Sequence, residues 1–172
     1  MQAMFSTYAE LQHTTAVPAG ISASKAVEVL FRDHEFFLRC DPHLIKFEPV
    51  ATPSDPVPEV PEDREVDPIA PVKVYSVTDR VHTLPAGLWD SDVVSTCEYF
   101  DLENGLFVRL RSPLSVVMET VWQIRQAEDG SYELVEDIVI KCSRFLIGVV
   151  KGACESGWES VHGKMLEKLR EA

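Results

Sequence analysis

The sequence predicts an α+β fold in which a curved antiparallel sheet of six to seven strands wraps around one long C-terminal helix. Three observations carry this prediction. Two stretches of alternating apolar character, Ser115–Gln126 and Tyr132–Cys142, flank the turn pair Asp129-Gly130. An unbroken helical stretch, Arg144–Glu171, follows at once. Ahead of both, Val93–Phe100 and Leu106–Arg111 are joined across Glu103-Asn104-Gly105, where Asn-Gly signals a hairpin. A concave sheet closed by a single helix leaves a gap between the two, and such a gap suits an apolar small molecule.

The remaining elements follow in order. His13–Ala19 reads as a first strand. Ser22 or Ser24 offers an N-cap for a helix over Lys25–Arg32, with Val27, Leu30 and Phe31 at helical spacing. A second short helix, about Asp33–Arg39, carries Phe36 and Phe37 and stops before Asp41-Pro42, because the residue preceding a proline avoids the helical region. Leu44–Val50 and Val72–Thr83 read as strands. Between them, residues 51–71 hold six of the eleven prolines and six acids against one base, Arg64. Prolines remove ladder donors and the acids repel one another, so this stretch is expected to be a mobile loop inserted between strands. The whole of residues 1–172 is expected to form a single domain.

The totals exclude several function classes. A net charge of −12 argues against nucleic acid, which is bound by clustered Lys and Arg. It also argues against docking on anionic headgroups. The longest apolar run, Phe145–Val150, is far too short to span a bilayer, so no membrane insertion is expected. Cys40, Cys97, Cys142 and Cys154 show no regular spacing, and residues 1–20 lack the pattern of a secretory leader. A cytoplasmic protein with free thiols is expected. No hydrolase, nucleotide or dinucleotide fingerprint occurs, so no cofactor is expected. Cys40 and His43 have a C-x2-H spacing with His34 nearby, but no second pair completes a metal site, and none is expected.

Local phrases give a resemblance. Val17-Pro18-Ala19 leads into a helix, Cys40-Asp41-Pro42-His43 follows the second helix, and a strand-to-helix junction closes the chain. With the element order, these resemble the helix-grip arrangement of the START-like (SRPBCC) superfamily, which includes lipid-transfer domains, plant hydrophobic-ligand carriers and aromatic polyketide cyclases. Residues 84–90, Leu106–Pro113, Met118-Glu119-Thr120-Val121-Trp122 and His162-Gly163-Lys164-Met165 look like an uncharacterised fungal family of START-like proteins. The resemblance implies a fold and a cavity, and it supplies no catalytic motif.

Strand alternation assigns the inner face. Val108 and Leu110 share one face of their strand, with Arg109 and Arg111 opposite and toward solvent. Met118, Thr120 and Trp122 share a face of the next, and Leu134, Glu136, Ile138 and Ile140 share a face of the last. On Val93–Phe100 the parity is open; if Val94 and Thr96 point inward, so does Glu98. The long helix offers Leu146, Val150, Ala153, Cys154, Gly157, Val161, Met165 and Leu169 as its apolar stripe. Phe37, Trp89, Thr96, Val108, Leu110, Met118, Thr120, Trp122, Ile138, Val150, Ala153 and Gly157 are thus the expected ligand contacts. Ala153 and Gly157 either create cavity volume or allow close helix–sheet packing.

Glu136 is the sharpest candidate for chemistry, since a carboxylate on an apolar face suits a general acid or base. A hydrogen-bonded structural acid is the other reading, and Glu98 stands in the same position with its face unsettled. His82 near a strand end is a further conceivable proton shuttle. Two functions follow: carriage of a hydrophobic or aromatic molecule by a monomer or homodimer, or cofactor-independent cyclisation or isomerisation in the same cavity. A protein-interaction module using the acidic segment ranks behind both.

Overall fold

The computed structural model describes residues 6–51, 54–82 and 90–172, the side chains of residues 82 and 90 excepted. Seven antiparallel strands form one curved sheet: β1 (Ser6–Ala16), β2 (Leu44–Pro49), β3 (Lys73–His82), β4 (Asp90–Leu102), β5 (Gly105–Ser112), β6 (Val116–Gln126) and β7 (Tyr132–Ser143). Their order across the sheet is β1-β7-β6-β5-β4-β3-β2. Two short helices, α1 (Ala23–Phe31) and α2 (His34–Arg39), follow β1, and the long helix α3 (Ile147–Glu171) follows β7. This is the helix-grip arrangement. No helix among the described residues is long and apolar enough to cross a membrane.

β1 departs from the sequence reading. It begins at Ser6, not His13, and pairs with β7 over its whole length, from Ser6 opposite Ser143 to Ala16 opposite Glu133. Its inward residues, Thr7, Ala9, Leu11, His13 and Thr15, include one large apolar side chain, so hydrophobic alternation is nearly silent there. Pairing with a neighbour sets the strand.

Capping fixes the two short helices. Ser22 Oγ accepts the Lys25 N–H at 3.2 Å, and Asp33 Oδ1 accepts the Phe36 N–H at 3.0 Å. α1 buries Ala26, Val27, Leu30 and Phe31 against the sheet and α3, at about 1.5–3 kcal/mol for each large side chain. Arg32, just past α1, donates to the carbonyls of Leu102 and Gly105 and locks α1 onto the β4–β5 hairpin. Gly105 cannot carry a side chain, because a Cβ there would strike the Trp122 carbonyl.

The acidic segment lies between β2 and β3, and part of it is packed on the sheet. Val60, Val66 and Val72 cover Phe100, Leu102 and Phe107 on the sheet's outer face. Phe107 is fully buried beneath this strap. Polar contacts reinforce it: Arg109 donates to the Glu59 carbonyl, and Arg64 reaches Glu119 at 3.1 Å. Arg109, which parity places outside, is therefore buried under the strap and does not face solvent. The valines at positions 60, 66 and 72 supply what composition hides: a short apolar series inside an acidic, proline-rich stretch.

Candidate ligand-binding site

The concave face of the sheet is the candidate site. Leu106, Val108 and Leu110 of β5 project into it, as do Met118, Thr120, Trp122 and Ile124 of β6. α3 packs on β7, β1 and α1, toward one side of that face. Val108, Leu110 and Met118 are consequently only half-buried, although they are apolar, inward-facing and on central strands. A Cβ placed on Gly157 would meet no other atom within 4 Å. The half-buried side chains describe apolar wall that the helix does not fill, and Gly157 adds no bulk on the α3 side. Phe37 of α2 meets the Tyr99 and Trp122 rings edge-on, at 5.8 and 5.3 Å between centroids, and forms an aromatic end to the space.

The other expected contacts divide. Thr120 is buried on the inner face, and Ile138 is buried with Leu146 and Val150 beside it. Thr96 is exposed on the outer face, because its register partner is Arg111. Glu98, opposite Arg109, is likewise outside; it is buried beneath the strap, 3.3 Å from Arg109 and 3.1 Å from Arg111. It is a structural acid paired with two arginines on the outer face and does not reach the concave face. Ala153 is exposed, because the buried line of α3 runs through Val150, Cys154, Val161 and Met165. Residues 84–89, Trp89 among them, lie outside the described residues, as do the side chains of residues 82 and 90.

Glu136 is inside, and it is not alone. His13 Nδ1 and His162 Nε2 both approach its Oε2, at 3.0 and 3.2 Å. With its proton on Nε2, His162 donates to the carboxylate and accepts the Thr15 hydroxyl on Nδ1 at 2.7 Å. His162 is 1% exposed and lies 5.5 Å from the Trp122 ring. A carboxylate with two imidazoles can hold or move a proton, and it also satisfies its own burial. Sequence reading missed both histidines. His162 and Trp158 are four residues apart on α3, one turn along the same face, and that spacing was the available signal.

A second inner-face acid was also missed. Asp79 of β3 pairs in register with Val93, and its Oδ1 is buried without a hydrogen bond among the described residues. Burial, reinforced by the nearby Asp41 charge, pushes its carboxyl up to about 6. The thiols are protonated bystanders: burial raises Cys97 to about 12 and Cys40 and Cys154 to about 11.

A seven-stranded antiparallel sheet gripping a C-terminal helix is the helix-grip fold, and comparison with solved structures agrees. TTHA0849 from Thermus thermophilus is 14% identical with a TM-score of 0.57, over 96% of this chain and 98% of its own. The Zhui aromatase/cyclase from Streptomyces sp. R1128 is 16% identical with a TM-score of 0.57, over 96% and 94%. Ara h 8.0201 is 14% identical with a TM-score of 0.53, over 94% and 99%. At these identities the likeness is one of fold. The chain itself belongs to the DUF7053 family, a domain of unknown function, which it matches over residues 6–171. No curated protein matches it in sequence.

Proposed function

We propose that this protein binds a hydrophobic or aromatic small molecule, lipid- or polyketide-like, between the sheet and α3. The observation that carries the reading is the half-buried state of Val108, Leu110 and Met118 on the inner face. Apolar side chains on central strands are normally covered, and leaving them uncovered costs about 25 cal/mol per Å² that a ligand would recover. The aromatic end formed by Phe37, Tyr99 and Trp122 favours a flat or ringed ligand. The likeness in fold to an aromatase/cyclase supports a cavity of this kind. Titration with an anilinonaphthalene sulfonate dye tests the reading. Gly157→Leu should weaken binding by about tenfold, or about 1.4 kcal/mol, in a protein that still folds. Unchanged affinity in a folded variant places the dye elsewhere and sinks the proposal.

A second reading, cofactor-independent cyclisation or isomerisation, is favoured by Glu136 with His13 and His162 within 3.2 Å of one oxygen. The carboxylate would accept a substrate proton and an imidazole would return it, so no net proton is consumed. Glu136→Gln should then abolish turnover of a poly-β-ketone substrate while dye binding persists. Turnover retained in that variant removes the catalytic reading.

A further inference from the structure

The two most exposed large apolar side chains among the described residues are Phe145, at 83%, and Leu114, at 75%. They stand at one end of the sheet. Leu114 caps the β5–β6 turn, which closes at Ser112 opposite Val116. Phe145 leaves β7 just after Ser143, and the pairing of Val117 with Lys141 brings that exit beside the turn. Val149, one helical turn on, is also exposed. Leu114 and Ser115 hold φ of 62° and 58°, a left-handed conformation that leucine ordinarily avoids.

The two segments that carry these side chains hold bases and no acid of their own, although acids from other segments neutralise most of them. Residues 107–118 and 141–152 contain five bases and no acid, within a protein of net charge −12. Arg109, Arg111 and Lys141 are engaged by Glu98 and Glu119 on the outer face, and Asp63 and Glu10 border Lys141 there. Arg144 is exposed and makes no ion pair among the described residues. Lys151 has only an exposed 3.8 Å contact with Glu155 on its own helix, a contact of little energy. The overall negative charge acts weakly at this end, because charges more than about 8 Å away are screened at physiological salt.

We infer that the end of the molecule bearing Leu114, Phe145 and Val149, with Arg144 and Lys151 beside them, docks on an anionic lipid bilayer. Protruding apolar side chains flanked by bases suit the boundary between headgroups and acyl chains. A protein partner fits less well: three separate side chains offer far less than the roughly 800 Å² per partner of a stable interface. Leu146, Ile147, Val150 and Met118, from the neighbouring stretches of chain, are partly buried against Ile138, Ile140 and Cys142 of the inner wall. The docking end and the candidate cavity are neighbours along the chain, and docking does not depend on what the cavity holds.

Co-sedimentation of the full chain with vesicles tests this. Pelleting is expected with equal parts phosphatidylcholine and phosphatidylserine, much less with phosphatidylcholine alone, and it should weaken as salt is raised. Arg144→Gln should lower the partition coefficient about fivefold, and Phe145→Asp about tenfold or more. Circular dichroism should show both variants folded. The inference is overturned if the wild type stays in the supernatant with the mixed vesicles, or if folded Phe145→Asp pellets like the wild type. It is equally overturned if light scattering shows a dimer that Phe145→Asp dissociates, since a second copy would then cover this end.

Discussion

His13 and Trp158 stack face to face, their ring centroids 4.7 Å apart and their planes 5° from parallel. His13 is on β1 and Trp158 on α3, and the same imidazole donates to Glu136 on β7. One side chain therefore joins the helix to the two strands beneath it. Trp158 also meets His162 edge-on at 5.1 Å, so both imidazoles around Glu136 are held by the same indole.

His13→Ala should destabilise the protein by about 2 kcal/mol, because it strips one partner from a buried carboxylate and removes the stack. Glu136→Gln should cost less, since an amide can still accept a hydrogen bond at that position. Urea denaturation reads both, and a His13→Ala loss below about 0.5 kcal/mol would show that the cluster is effectively solvated.

Deleting residues 57–67 should lower the melting temperature by roughly 6 °C or more. Composition alone suggests almost no effect. The difference lies in Val60 and Val66, whose removal would open Phe100 and Phe107 to water and leave Glu119 without Arg64. Calorimetry of the shortened chain decides between the two.

Asp79 should make the protein less stable as pH rises from about 4 to about 6. Its folded carboxyl is raised to about 6 by burial and by Asp41. The stability linked to its proton is thus complete below the unfolded value and lost as pH rises through the folded one. Asp79→Asn should flatten this slope and gain about 1 kcal/mol above pH 6, after allowing for the partial exposure of the group. No change in slope would mean that a counter-charge reaches Asp79.

Glu119 should behave in the opposite sense. Burial alone would raise its carboxyl, but hydrogen bonds from Lys141 and Arg64 outweigh it and hold the group low. Its stabilisation is present above the unfolded value and is lost as acid passes the folded one. Arg64→Gln should therefore be destabilising at neutral pH and nearly silent once Glu119 is protonated, as parallel melts across pH will show.

Where the hydrophobic alternation is strong, the sequence was legible. Parity on β5, β6 and β7 places Val108, Met118, Thr120, Trp122 and Glu136 on the face they occupy, and the junction into α3 falls within a few residues of Arg144. β4 defeats the same reasoning, because its second half is covered on both faces. Cys97 and Tyr99 are buried inside and Glu98 and Phe100 are buried outside, the latter two near the strap. Alternation vanishes where neither side meets water, which left the face of Glu98 open, and Thr96, on the exposed part of the outer face, was counted inside. His13, His162 and Asp79 were missed for another: a polar residue turned inward is betrayed only by partners on other strands, and one sequence does not reveal register.

The pairing of β1 with β7 has a consequence for how the chain is made. The strand at Ser6–Ala16 finds its neighbour only when residues 132–143 have emerged. At ribosomal rates that interval is on the order of ten seconds. During it, β1 is an open strand edge, and its polar run of Ser6, Thr7, Glu10, Gln12, Thr14 and Thr15 makes a poor template for other nascent chains. The chemistry that hides β1 from hydrophobic pattern reading is the same chemistry that lets it wait.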